Sequence, residues 1–184
     1  RIHQGRLLEE SFGHVAKTLL DQARNVQIIA CGTSYHAGMV ARYWLEEAGI
    51  PCRVEVASEF RYRKTVVPPD TLFVTISQSG ETADTLAALR AAKQADYLGS
   101  LVICNVPESS LVRESDVALM TRAGPEIGVA STKAFTTQLV ALRLLTLALA
   151  KRRGLDAAEE AVWVEELNAL PRQVEVVLKL SAEI

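Results

Sequence analysis

Ser77-Gln78-Ser79-Gly80-Glu81-Thr82 sets three hydroxyl side chains around one glycine, and Gly32-Thr33-Ser34 repeats the combination earlier in the chain. Hydroxyls and free main-chain N–H groups on a small-residue loop are suited to surrounding the oxygens of an anion. No lysine is needed if a helix opens at the loop, because the positive end of its dipole then faces the bound charge. Gly80 is expected to let the backbone approach the ligand closely. Each charge-assisted hydrogen bond is worth about 1.5–3 kcal/mol net. Three or four of them hold a small phosphate ester at micromolar to millimolar concentration, after the cost of association. A simpler role is also open: Ser79 can be an N-cap answered by Thr82 or Glu81, with no ligand.

The neighbouring segments decide between the two. Leu72-Phe73-Val74-Thr75-Ile76 is a short apolar run of strand formers. After Thr82, Leu86 and Leu89 among alanines, with Arg90 and Lys93, predict an amphipathic helix. Gln27 to Cys31 reads as a buried strand ending at Gly32-Thr33-Ser34, and a helix with Met39, Val40, Tyr43 and Trp44 runs to a stop at Gly49. Arg53 to Val56 alternates as an edge strand does, and Leu101 to Asn105 and Val117 to Met120 complete five strands. Strands alternating with helices predict an α/β fold, a flavodoxin-like, doubly wound parallel five-stranded sheet flanked by helices. In the order 2-1-3-4-5, the loops after the first and third strands meet at the switch in strand order, where such folds bind ligands. Two hydroxyl-rich loops converging there favour an anion site over two unrelated caps.

The remaining chain is expected to fall into an N-terminal helical arm over 1–24, the sheet domain over 25–153 and a helical linker tail over 154–184. In the arm, Leu8, Phe12, Val15 and Leu19 stand at helical spacing over 6–23; the tail is split at Pro171. Its 184 residues, 49% hydrophobic and 23% charged, fit one ordinary domain. A formal net charge of −2 offers no general attraction to nucleic acid or an anionic membrane. Lys133 to Ala150 is apolar, but Arg143 and threonines interrupt it and it falls short of the roughly 20 residues that span a bilayer. A buried or interface helix is expected there.

Cys31, Cys52 and Cys104 form no CxxC or clustered-histidine pattern, which points to no disulfide framework, no metal site and a reducing cytoplasm. No secretory signal pattern is present. A start at Arg1 without methionine and an end inside a helical run suggest a piece of a longer protein. Neither GxxxxGK[ST] nor GxGxxG follows the first strand, which disfavours nucleotides. A neutral cradle suits a small phosphomonoester whose other end is read by a different surface.

Four motifs in one order narrow the class. Ala30-Cys31-Gly32-Thr33-Ser34-Tyr35, Ala57-Ser58-Glu59-Phe60-Arg61-Tyr62-Arg63, Ser77-Gln78-Ser79-Gly80-Glu81-Thr82-Ala83-Asp84-Thr85 and Glu126-Ile127-Gly128-Val129-Ala130-Ser131-Thr132-Lys133-Ala134-Phe135-Thr136 closely resemble the first sugar isomerase (SIS) domain of the bacterial glutamine–fructose-6-phosphate aminotransferases. The resemblance implies a SIS fold within a cytoplasmic homodimer that makes glucosamine 6-phosphate from fructose 6-phosphate and glutamine. It implies a phosphate held by Ser34, Ser77, Gln78, Ser79 and Thr82, beside Gly32 and Thr33, and a sugar touched by Val129. It implies no cofactor. The family's glutaminase half, with its N-terminal cysteine, is absent from this sequence. So is the second SIS domain with its tail, which carries the carboxylate, histidine and lysine of the isomerisation. The chain is therefore expected to bind sugar phosphate while being catalytically incomplete alone.

Other residues carry weaker claims. Glu81 is expected to order the loop or cap a helix, Lys133 to be a surface lysine, and His36 to be structural or exposed. Cys31 has no histidine spaced to activate it. Arg61, Arg63 and Lys64 are expected on a solvated face. Two alternatives remain: a phosphosugar-sensing SIS module of a regulator, which would carry a basic helix-turn-helix absent here, and a stand-alone phosphosugar isomerase, for which only Glu81 and His36 lie near the loops.

Overall fold

A computed structural model describes residues 1–128 and 130–182 of the chain. Five parallel strands form its centre: β1 (Asn25–Ala30), β2 (Cys52–Val56), β3 (Thr71–Ser77), β4 (Gly99–Cys104) and β5 (Val117–Met120). Their spatial order is β2-β1-β3-β4-β5, the doubly wound arrangement expected from the alternation of strands and helices. The central strands bury both faces. Ile28 and Ile29 are each fully buried, as are Phe73 and Val74, so these strands read as continuous apolar runs rather than alternating ones.

Successive residues serve opposite layers. Ile28, Val74, Ile76 and Ile103 belong to one core cluster, which also takes in Leu45 of α2 (Gly32–Glu47) and Leu145 of α6 (Lys133–Lys151). Ile29, Phe73 and Val102 belong to the other, against Leu89 of α4 (Ala83–Ala92) and Leu111 of α5 (Ser110–Glu114). Strand parity thus divides the sheet between two helical layers. Helix α6 is long and apolar enough to cross a membrane by length and composition, yet 61% of its most apolar window is buried within the fold. It is a core helix, as expected.

The ends of the chain depart from the sequence reading. Residues 6–23 do not form one helix: Arg6–Leu7 pairs antiparallel with Ile2–His3, Glu9–Phe12 is a 3₁₀ turn, and α1 begins at His14. Gly13 at φ 93° breaks the helical path between them. The buried face therefore runs through Leu7, Phe12, Ala16 and Leu20, while Leu8 and Val15 are 41% and 54% exposed.

The tail is one helix, α7 (Ala157–Leu178), which continues through Pro171. The ring removes a single i→i−4 bond, and residues 170–180 are all exposed, so the helix can adjust around it without disturbing a packed neighbour. A capping box between Asp156 and Glu159 starts it, and Val164 and Glu160 bury its first half.

Candidate functional site

Register places the two hydroxyl loops together. Ala30 pairs with Ile76 across β1 and β3, so the next residues, Cys31 and Ser77, stand side by side at the carboxyl edge of the sheet. The strand ends at Ala30, one residue earlier than expected; Cys31 is the N-cap of α2, and Gly32, Thr33 and Ser34 open the helix. Thr82 is the N-cap of α4. No side chain caps either helix, so the first-turn N–H groups of both are left for another partner.

The alternative in which Ser79 caps a helix is not what the structure shows. Ser79 Oγ accepts a hydrogen bond from Glu81 N at 3.2 Å, inside the loop. Ser77 Oγ accepts from Gly80 N at 3.0 Å and lies 3.1 Å from Thr82 Oγ1. The loop is thus closed by its own hydroxyls, which take up the Gly80 and Glu81 amides.

Between these loops lies a concavity of about 400 Å³. Gly32, Thr33, Ser34, Ser77, Gln78, Ser79 and Thr82 all line it, which brings together the described residues expected to bind phosphate. Val129, expected to touch the sugar, lies outside the described residues. Ser34 and Ser77 are 7% and 3% exposed. Among the described residues the lining contains no Lys, Arg, His, Asp or Glu, so the polar groups it offers are amides and hydroxyls. A second cleft of about 540 Å³ shares Gln78 and is lined by Asn105, Met120 and Arg122.

Gly80 does something other than admit a ligand. Its φ is +69°, and a Cβ there would lie 1.9 Å from Ser109 Oγ and 2.9 Å from Cys104 Sγ. The glycine lets the loop sit on a buried serine and cysteine behind it. Glu81 also faces away from the concavity: its Oε1 accepts from Ser110 N at 2.7 Å, at the start of α5. Those bonds from Ser110 hold its carboxyl below the usual glutamate range. His36 is exposed beside Tyr35, Arg61 pairs with Asp84 at 3.1 Å, and Arg63 pairs with Glu55 at 2.6 Å.

Several residues of the site were not singled out by sequence reasoning. Thr85 donates to Cys31 Sγ at 3.9 Å, and Ala130 and Ser131 add a third wall to the concavity. Asn105, at the end of β4, ties two of the loops together. Nothing in local spacing marks these positions; only the packing of distant loops does.

The SIS-domain family model matches residues 19–148, more than half of the chain, and the chain belongs to that family. It is 68% identical over 186 aligned residues to the glutamine–fructose-6-phosphate aminotransferase (isomerizing) of Pseudomonas putida, covering 100% of this chain and 30% of that protein. The Escherichia coli K12 protein of the same name is 58% identical over 185 residues, with the same 100% and 30% coverage. Among solved structures, the C-terminal domain of glucosamine-fructose-6-phosphate aminotransferase from Francisella tularensis matches with a TM-score of 0.96 and 55% identity, over 99% of this chain and 52% of that one. The chain thus spans 30% of the length of the curated relatives it matches.

Proposed function

We propose that this chain is the phosphosugar-binding part of the isomerase half of an enzyme that makes glucosamine 6-phosphate from fructose 6-phosphate and glutamine. One observation supports it above the others: two uncapped helix starts and a hydroxyl-closed loop line a single concavity that has no cationic side chain among the described residues. That arrangement grips a compact dianion and leaves the rest of the molecule to other surfaces. Ser34, Ser77, Ser79 and Thr82, with Gln78 and the amides of Gly32 and Thr33, hold the phosphate in this reading. Val129 touches the sugar.

The isomerisation needs a group to move a proton between sugar carbons and another to open the ring. No described residue in the concavity is of that kind; the nearby Glu81 carboxylate is engaged with Ser110 and the Glu126 carboxylate with Thr132. The chain therefore binds and orients substrate, while the chemistry belongs to segments that the longer relatives carry outside the matched portion. In this proposal the parent works as a cytoplasmic homodimer, with a glutaminase domain and a second SIS domain as partners in the same chain.

Titration of the chain with fructose 6-phosphate and glucosamine 6-phosphate tests the reading. Saturable binding that weakens at least about tenfold in Thr82→Ala is expected, or about 1.4 kcal/mol. Equal affinity for the unphosphorylated sugars contradicts the cradle. Turnover of fructose 6-phosphate by the chain alone contradicts its catalytic incompleteness.

A further inference from the structure

Asn105 follows β4 at the carboxyl edge of the sheet. Its main-chain N–H donates to Gln78 O at 3.3 Å, which sets it against the cradle loop. Its side chain is spent wholly on another segment. Nδ2 donates to Gly124 O at 2.8 Å, while Oδ1 accepts from Thr121 Oγ1 at 3.1 Å and from Ala123 N at 2.7 Å. An asparagine amide offers donor and acceptor in one plane, and here both ends grip the same turn.

That turn is held in an uncommon shape. Arg122 has φ 56°, in the left-handed region that non-glycine residues occupy at a cost of about 1–3 kcal/mol unless their surroundings enforce it. The bonds to Thr121, Ala123 and Gly124 surround Arg122 and enforce it. Downstream, Glu126 Oε1 accepts from Thr132 N at 2.9 Å and from Thr132 Oγ1 at 3.0 Å, closing the far end of the same segment. Between these two anchors the chain carries Ala130 and Ser131 into the wall of the concavity. Asn105 itself does not line that concavity, so any effect it has on a ligand passes through this wall.

We propose that Asn105 is a positioning residue that sets the wall carrying Ala130 and Ser131 at the right distance from the cradle, so that this wall meets the sugar end of a bound phosphosugar. This rests on the cradle being the phosphate site. The phosphate itself is held by the loops after β1 and β3, which Asn105 touches only through its main chain. Replacing the side chain therefore loosens one wall and leaves the anion grip in place.

Calorimetric titration of the chain with fructose 6-phosphate and, separately, inorganic phosphate tests this, together with amide hydrogen exchange. In Asn105→Ala the Kd for fructose 6-phosphate is expected to rise about tenfold, while that for inorganic phosphate stays within about twofold. Exchange is expected to quicken over 121–132 and to stay unchanged over 77–82. Asn105→Asp keeps the acceptor for Thr121 and Ala123 and loses the donor to Gly124, so it should show the same split more weakly; it also serves if the alanine variant does not fold. An equal loss for both ligands, or no loss for either, overturns the positioning role. A wild-type chain that binds neither ligand overturns the cradle reading itself, and the role of Asn105 with it.

Discussion

The loop at Ser77–Thr82 and the loop from Thr121 to Thr132 meet at one concavity but are held in opposite ways. The first closes on itself through Ser77, Gly80, Ser79 and Glu81, and it rests on buried Ser109 and Cys104, with Leu111 N donating to Gly80 O at 3.0 Å. The second lies largely at the surface, with Ile127 at 98% exposure, and borrows its shape from Asn105 and Glu126. A self-closed loop on a packed support has its donors arranged before a ligand arrives, which spares the ordering cost at binding. A loop held by a few long-range bonds adjusts more readily. In the function proposed above, the contrast would suit the stiff wall to the compact phosphate and the looser one to the sugar.

Gly80→Ala tests the stiff wall hardest. The new Cβ would meet Ser109 Oγ at 1.9 Å from a backbone at φ +69°, so the loop must move or the serine must leave. A stability loss of more than about 2 kcal/mol is expected by chemical denaturation, with phosphate binding abolished. A stable variant that still binds phosphate would show that the loop does not depend on that close approach.

Ser77→Ala should cost less. It leaves the buried Gly80 N–H without its acceptor, an expected loss of about 1–3 kcal/mol, and removes the partner of Thr82. The fold persists and phosphate binding weakens, which circular dichroism and calorimetry would resolve together.

The looser wall has a pH signature. Bonds from the Thr132 main chain and the Thr132 hydroxyl hold the Glu126 carboxyl below its ordinary value of 4.5. A depressed carboxyl stabilises the loop above the unfolded value, and that contribution fades as pH falls through the folded one. The Thr132 amide resonance should therefore titrate with a midpoint below 4.5, and Glu126→Gln should abolish the titration. A midpoint at or above that value removes Glu126 as the anchor. Smallest of all, Ile127→Ser should change stability by less than about 0.5 kcal/mol, since the side chain is 98% exposed. A larger loss would mean the outer loop is packed more tightly than its exposure implies.

Much of this was legible without coordinates. Apolar runs such as Leu72 to Ile76 announced buried parallel strands because both faces are covered, and the hydroxyl-rich stretches after them marked the carboxyl edge. Where periodicity was weak the reading slipped. Over residues 6–23 it chose Leu8 and Val15, because it assumed one helix where Gly13 divides two elements. It broke the tail at Pro171, although one missing donor does not end a helix whose neighbouring turns stay bonded. It gave Gly80 only a ligand to accommodate and missed Ser109, which lies against it.

What the sequence by itself determined is the five strands of the main sheet, their doubly wound order and the two segments rich in hydroxyls and small residues, since these follow from side-chain chemistry within a few positions. Tertiary structure alone decided that Cys31 and Ser77 emerge side by side, that Glu81 turns to α5, and that Asn105 grips the segment after β5. Those facts depend on strand register and on bonds between residues far apart in the chain, and no local pattern encodes which distant partner a side chain will meet.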